Sequence, residues 1–133
     1  MILPSTTPPA RRLVLVVEDS SECAETLQIA LESLPDIEIM VCADARELWP
    51  LLNRHHARVA AVVTDLHLTQ SDGFDVIRRL RQDVRFSLTP ILMISGDSDP
   101  RLPERALQCG ASAWFSKPYS PAAVRRKLEA LIC

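Results

Sequence analysis

No Cys-x-x-Cys pair occurs in this chain: Cys23, Cys42, Cys109 and Cys133 stand far apart. That spacing builds neither a zinc site nor a disulfide framework, so free thiols in a reducing compartment are expected. Long apolar runs are missing too, and none approaches the ~20 residues needed to span a bilayer. Arg11-Arg12 precede an apolar stretch as in a secretion signal. Leu13 to Val17, however, runs straight into Glu18-Asp19, short of the ~7–15 apolar residues of a signal core. Basic charge is not in excess: a net charge of -2 offers no broad surface for nucleic acid. There is no repeat of solenoid period and no low-complexity tract beyond the first residues. A soluble, cytoplasmic protein without direct nucleic-acid or membrane contact is the expectation.

What is present is an ordinary globular composition, 47% apolar and 24% charged over 133 residues, enough for one domain with one core. Residues 1–12, with Pro4, Pro8 and Pro9, read as a flexible leader, and residues 13–133 as the folded domain. Five apolar runs read as strands: Leu13 to Val17, Ile37 to Val41, Val59 to Thr64, Ile91 to Ile94 and Ala113 to Ser116. Helical patterns separate them. Ser20 or Ser21 caps a helix with Ala24, Leu27, Ala30, Leu31 and Leu34 on one face, ended by Pro35-Asp36. Asp44 with Glu47 resembles a capping box, although Pro50 falls where the interior of that helix should be. A third helix begins near Asp72 with Phe74, Ile77 and Leu80 inward. A fourth starts near Asp99, blurred by Pro100 and Pro103, and stops at Gly110; Ser120-Pro121 opens the last. Strands alternating with helices predict an α/β fold, a parallel sheet with helices on both faces.

In such a sheet every strand ends on the same edge, and ligands bind there. The first strand delivers Glu18 and Asp19 to that edge, the third Asp65, the fourth Ser95 and the fifth Lys117. Carboxylates converging without a cation repel one another and raise at least one pKa. Oxygen donors around a cavity open to water suit Mg2+. Lys117 as a point charge and Ser95 as a hydrogen-bond donor suit the oxygens of a phosphoryl group. A carboxylate between metal and lysine can attack phosphorus and become an aspartyl phosphate.

From Leu13 almost to its last residue the chain resembles the receiver domain of two-component response regulators, of the CheY-like family. The resemblance rests on Glu18-Asp19, Asp65, Asp72-Gly73, Ser95-Gly96 and Lys117-Pro118, in that order and each at a strand end or helix start. It implies a flavodoxin-like (βα)5 sandwich with strand order 2-1-3-4-5. It further implies Asp65 as phosphoacceptor, Mg2+ held by Glu18, Asp19, Asp65 and the backbone carbonyl of His67, and phosphoryl contacts from Ser95 and Lys117. Ser95 and the aromatic Trp114 would be the switch residues, and the bond between Lys117 and Pro118 a candidate cis peptide. A histidine kinase or histidine phosphotransfer protein would donate the phosphoryl group. The surface of the fourth helix, fifth strand and fifth helix would read it out, in a monomer or weak dimer. No separate enzymatic substrate is implied.

The chain departs from the family pattern in places. Thr69 stands where many relatives carry proline, which leaves the loop after Asp65 less constrained, and Trp114 replaces the commoner Tyr or Phe with a ring too large to swing inward easily. His67 and Asp97 occupy positions that tune phosphoryl lifetime in relatives. Two other readings share the fold. One is a pseudo-receiver that binds proteins without phosphorylation. The other is a phosphatase with an aspartate nucleophile, disfavoured because haloacid-dehalogenase-like enzymes carry a second aspartate where this chain has His67. Elsewhere His55-His56 reads as a solvated helix end, and Arg78, Arg79 and Arg81, like Arg125, Arg126 and Lys127, as solvated helix faces.

Overall fold

The structure is a computed structural model and describes residues 11–132. Strand and helix alternate: β1 (Arg12–Val17), α1 (Ser21–Leu31), β2 (Ile37–Cys42), α2 (Ala45–His55), β3 (Val59–Asp65), α3 (Gly73–Gln82), β4 (Ile91–Ser95), α4 (Leu102–Cys109), β5 (Ala113–Ser116) and α5 (Pro121–Ile132). The strands form one parallel sheet in the order β2-β1-β3-β4-β5, the flavodoxin-like arrangement. No helix among the described residues is long and apolar enough to cross a membrane.

The period-two alternation of side chains divides each strand between two cores. Leu13, Leu15, Val17 and Val62 face a cluster with Leu48 and Leu52 of α2, Phe74, Ile77 and Leu80 of α3, and Ala106 of α4. Val14, Val16, Ala61 and Val63 face the other way, onto Leu27 and Leu31 of α1 and Val124, Leu128 and Ile132 of α5. Helices therefore cover both faces, which is why the inner strands are continuous apolar runs. Burying one such leucine contributes roughly 2 kcal/mol, and the sheet holds its carboxyl edge rigid against that core.

Register then sets what meets at that edge. Asp65 lies opposite Ile94, and Ser95 opposite Ser116. Ser95 thus stands one step beyond Asp65's partner, and the Lys117 N–H donates to the Ser95 carbonyl at 2.8 Å.

Some boundaries differ from the sequence reading. Of the leader expected over residues 1–12, all but Arg11 and Arg12 lies outside the described residues, as does Cys133, and Arg12 opens β1. The second helix runs unbroken through Pro50. Pro50 and Arg46 are both exposed, so water can reach the Arg46 carbonyl that loses its intrahelical partner. Its start is as expected: Asp44 accepts from the Glu47 N–H and Glu47 from the Ala43 N–H. The fourth helix starts at Leu102 with no side-chain cap, and Gly110 closes it at φ 119, a left-handed value that L side chains rarely adopt. The bond between Lys117 and Pro118 is cis.

Candidate functional site at the carboxyl edge of the sheet

Asp65 is the last residue of β3 and is buried. Its backbone is held from behind by α3: the Gly73 N–H donates to the Leu66 carbonyl at 2.7 Å. A Cβ on Gly73 would come within 2.7 Å of the Asp65 carbonyl oxygen and 2.7 Å of Met93 Cε. Only glycine lets α3 begin that close to the strand end. The Asp72 side chain caps the helix by accepting from the Asp75 N–H at 2.9 Å.

The Asp65 carboxylate has partners on both oxygens. Its Oδ1 accepts from the His67 N–H at 3.0 Å, and its Oδ2 accepts from Lys117 Nζ. Lys117 also donates to Glu18 Oε2 at 3.3 Å. Glu18 lies just past β1 and is 4% exposed; its Oε1 accepts from the Ser20 N–H at 3.1 Å. Ligand oxygens of Glu18, Asp19 and Asp65 all lie within 4.8 Å of one another. The two buried carboxylates and the lysine form a cluster with less positive than negative charge. Burial pushes the Glu18 carboxyl up, the adjacent Asp65 pushes it further, and it titrates at about 7. For Lys117, burial disfavours the charged form, but the bond and charge of Asp65 and those of Glu18 outweigh it and raise the pKa.

This donor set fits a divalent cation that prefers oxygen. Two carboxylates are sheltered, Asp19 is exposed to solvent, and the excess negative charge is what a cation would neutralise. Ser95 is fully buried at the end of β4, and its Oγ accepts from the Asp97 N–H at 3.0 Å. Among the described residues its hydroxyl proton has no acceptor. A fully buried hydroxyl with an uncommitted donor is uncommon, and it stands at the same strand edge as Asp65 and Lys117.

The residues singled out from the sequence thus converge, and loop contacts not foreseen there join them. His67 Nε2 lies 3.0 Å from Asp97 Oδ2. These residues stand two beyond Asp65 and Ser95 on neighbouring strands, so strand order could have revealed the pair. Thr69, expected to loosen its loop, has its hydroxyl 3.5 Å from Asp19 Oδ2. Trp114 is half-buried against the core cluster that includes Leu102 and Ala106, and its Nε1 donates to Ser116 Oγ at 3.0 Å. Arg81 is a correction. Far from a solvated face, its guanidinium donates to the carbonyls of Gly110, Phe86, Ser87 and Thr89. Arg79 lies 4.0 Å over the Trp49 ring, and Arg125 is half-buried with Glu129 3.6 Å away.

A parallel five-stranded sheet in this order, with helices on both faces, defines the class of flavodoxin-like α/β domains, and comparison with known proteins narrows it. The profile of the response regulator receiver domain matches residues 14–129. Response regulator Rre1 of Synechocystis is 31% identical over 121 residues, 90% of this chain and 49% of that protein. Chemotaxis protein CheY1 of Helicobacter pylori is 28% identical over 119 residues, 90% of this chain and 95% of that protein. The chain therefore spans about half of Rre1 and nearly all of CheY1. The crystal structure of chemotaxis protein CheY4 of Vibrio cholerae, at 25% identity, superposes with a TM-score of 0.80 over 92% of this chain and 99% of that one. The protein belongs to the response regulator receiver domain family. Receiver domains are signalling domains of two-component systems rather than conventional enzymes, and histidine kinases phosphorylate them.

Proposed function

We propose that this chain is a phosphoryl-accepting switch in which Asp65 is the phosphoacceptor. The observation that carries this reading is the convergence of Glu18, Asp19 and Asp65 within 4.8 Å, with Lys117 bonded to Asp65 and Glu18. An Asp65 carboxylate oxygen attacks the phosphorus of a phosphohistidine on a histidine kinase or phosphotransfer protein. The new O–P bond forms as the P–N bond breaks, and the leaving imidazole takes its proton from solvent. Lys117 moves its positive charge from carboxylate to phosphoryl oxygen, and Ser95 donates its free proton to another. Glu18, Asp19, Asp65 and the His67 backbone carbonyl would hold Mg2+, which would supply the remaining charge neutralisation.

The readout is the face formed by α4, β5 and α5, as the chain acts in the cytoplasm as a monomer or weak dimer on a protein target. Ser95 and Trp114 are the switch residues, and the bond from Trp114 Nε1 to Ser116 Oγ is what a change of ring position would have to break. Intact-mass spectrometry after incubation with Mg2+ and acetyl phosphate tests the reading. One phosphoryl group should appear on the natural chain and none on Asp65→Asn. If a folded natural chain acquires none, the alternative of a phosphorylation-independent binding module takes its place. That alternative would also be favoured if Asp65→Asn left partner binding unchanged.

A further inference from the structure

The loop from Ser95 to α4 is built as a ladder of side chains that each accept the N–H two residues on. Ser95 Oγ accepts from Asp97, Asp97 Oδ1 from Asp99 at 3.0 Å, and Asp99 Oδ1 from Arg101 at 2.9 Å. The last rung reaches the residue before α4. Arg101 also folds its guanidinium back onto Asp99, with 3.0 Å and 2.8 Å contacts, and the Asp99 carbonyl accepts from the Leu102 N–H at 3.2 Å. α4 has no side-chain cap of its own, so beside the packing of Leu102 in the core this ladder links its first turn to the sheet edge.

Asp97 is the point where the ladder meets the loop after Asp65. Its N–H serves Ser95, its Oδ1 serves Asp99, and its Oδ2 faces His67 Nε2 at 3.0 Å. The contacts to Asp99 and His67 are solvent-exposed and individually weak, and the bond to Ser95 Oγ is part-buried; together they make Asp97 answer to both strands that flank the site. A Ser95 hydroxyl drawn toward an oxygen on Asp65 either pulls the Asp97 N–H with it or releases it. In both cases the rung to Asp99 moves.

We propose that Asp97 is a positioning residue that couples occupancy of the Asp65 site to the first turn of α4 through the Asp97–Asp99–Arg101 ladder. The inference rests on the reading of Asp65 as phosphoacceptor. It places the coupling in a hydrogen-bonded loop, alongside any movement of Trp114. It also assigns the two flanking contacts separate tasks: the Asp99 rung transmits, and the His67 contact steadies the hub.

Beryllium fluoride with Mg2+, a non-covalent stand-in for the acyl phosphate, is the probe. Fluorine NMR reports its binding to the full chain, and hydrogen exchange at the amides of Asp99 to Arg105 reports α4. In the natural chain, binding should change exchange there by at least about threefold. Asp97→Ala should bind the probe but show no such change, with exchange at Asp99 already raised about fivefold before binding, as expected for one lost hydrogen bond. Asp97→Asn, whose amide oxygen keeps the rung to Asp99, should restore the response. The proposal is overturned if Asp97→Ala responds like the natural chain, if Asp97→Asn behaves like Asp97→Ala, or if the natural chain binds without any change at α4. No bound fluorine signal in the natural chain would instead overturn the phosphoacceptor reading beneath it.

Discussion

At the amino edge of the sheet arginines meet carbonyls, whereas at the carboxyl edge the buried carboxylates of Glu18 and Asp65 share one lysine. Arg12 donates to the Ile132 carbonyl at the end of α5, and Arg58 to the Arg11 carbonyl. Arg81 spans from α3 to Gly110 at the end of α4 and to Phe86 and Thr89 before β4. Because each helix returns antiparallel to its strands, the amino edge collects helix carboxyl ends, whose orphan carbonyls favour cations. A guanidinium with its fork of donors satisfies several at once, and nothing remains for a ligand to add. The carboxyl edge collects helix amino ends, which favour anions, yet the chain has placed carboxylates there too. Their charge is only partly matched by Lys117. The first edge is satisfied and structural. The second is left with unmatched negative charge and with the uncommitted hydroxyl of Ser95.

Arg81→Ala attacks the satisfied edge. Removing the donor shared by the Gly110, Phe86, Ser87 and Thr89 carbonyls should destabilise the protein by about 3 kcal/mol in denaturant unfolding, while Mg2+ affinity stays unchanged. An altered affinity would show that the two edges are not independent. Lys117→Met attacks the other edge by leaving Asp65 and Glu18 buried without their cation. Because Lys117 is a quarter exposed, the loss in metal-free buffer should be about 2 kcal/mol, below that of a fully buried pair. Mg2+ affinity, read by titration calorimetry, should rise about fivefold as a competing charge is removed.

Glu18→Gln sharpens the contrast through pH. The folded carboxyl titrates at about 7, above its ordinary 4.5, so the folded state holds this proton more tightly than the unfolded one. In metal-free buffer the natural chain should therefore lose stability relative to Glu18→Gln as pH rises from 4.5 to 7. The difference should reach roughly 2 kcal/mol and then level off, and saturating Mg2+ should shrink it. A difference independent of pH would refute the crowding of charge at this edge. The smallest effect is expected for His67→Ala. Its ring is 65% exposed, so losing the Asp97 contact should cost less than about 0.5 kcal/mol in thermal unfolding, with Mg2+ affinity unaltered because only the backbone carbonyl is a proposed ligand.

Much of this is legible in the sequence. Apolar runs ending in Glu18-Asp19, Asp65, Ser95 and Lys117 marked the strands and the edge where they end, since continuous burial and the first charge after it are local features of a parallel strand. The cap at Asp44, the first cap to within Ser20 or Ser21, the helix start near Asp72 and the stop at Gly110 were legible for the same reason. Pro50 misled because propensity within a helix depends on whether the bereaved carbonyl faces water, which only packing decides. Arg81 was indistinguishable from Arg78 by sequence. Both sit on α3, but Arg81 faces the turn at Gly110, where a Cβ would meet its Cγ at 2.8 Å, and Arg78 reaches Asp75.

By itself, then, the sequence determined the order of elements, the family and which residues stand at the carboxyl edge, because periodicity, caps and strand-end charges act within a few residues of one another. Tertiary structure alone decided that Lys117 binds Asp65 and Glu18 together, that Thr69 leans on Asp19 and that His67 meets Asp97. Those contacts join residues far apart in the chain. They exist only because strand register and helix packing bring separate loops within hydrogen-bond reach.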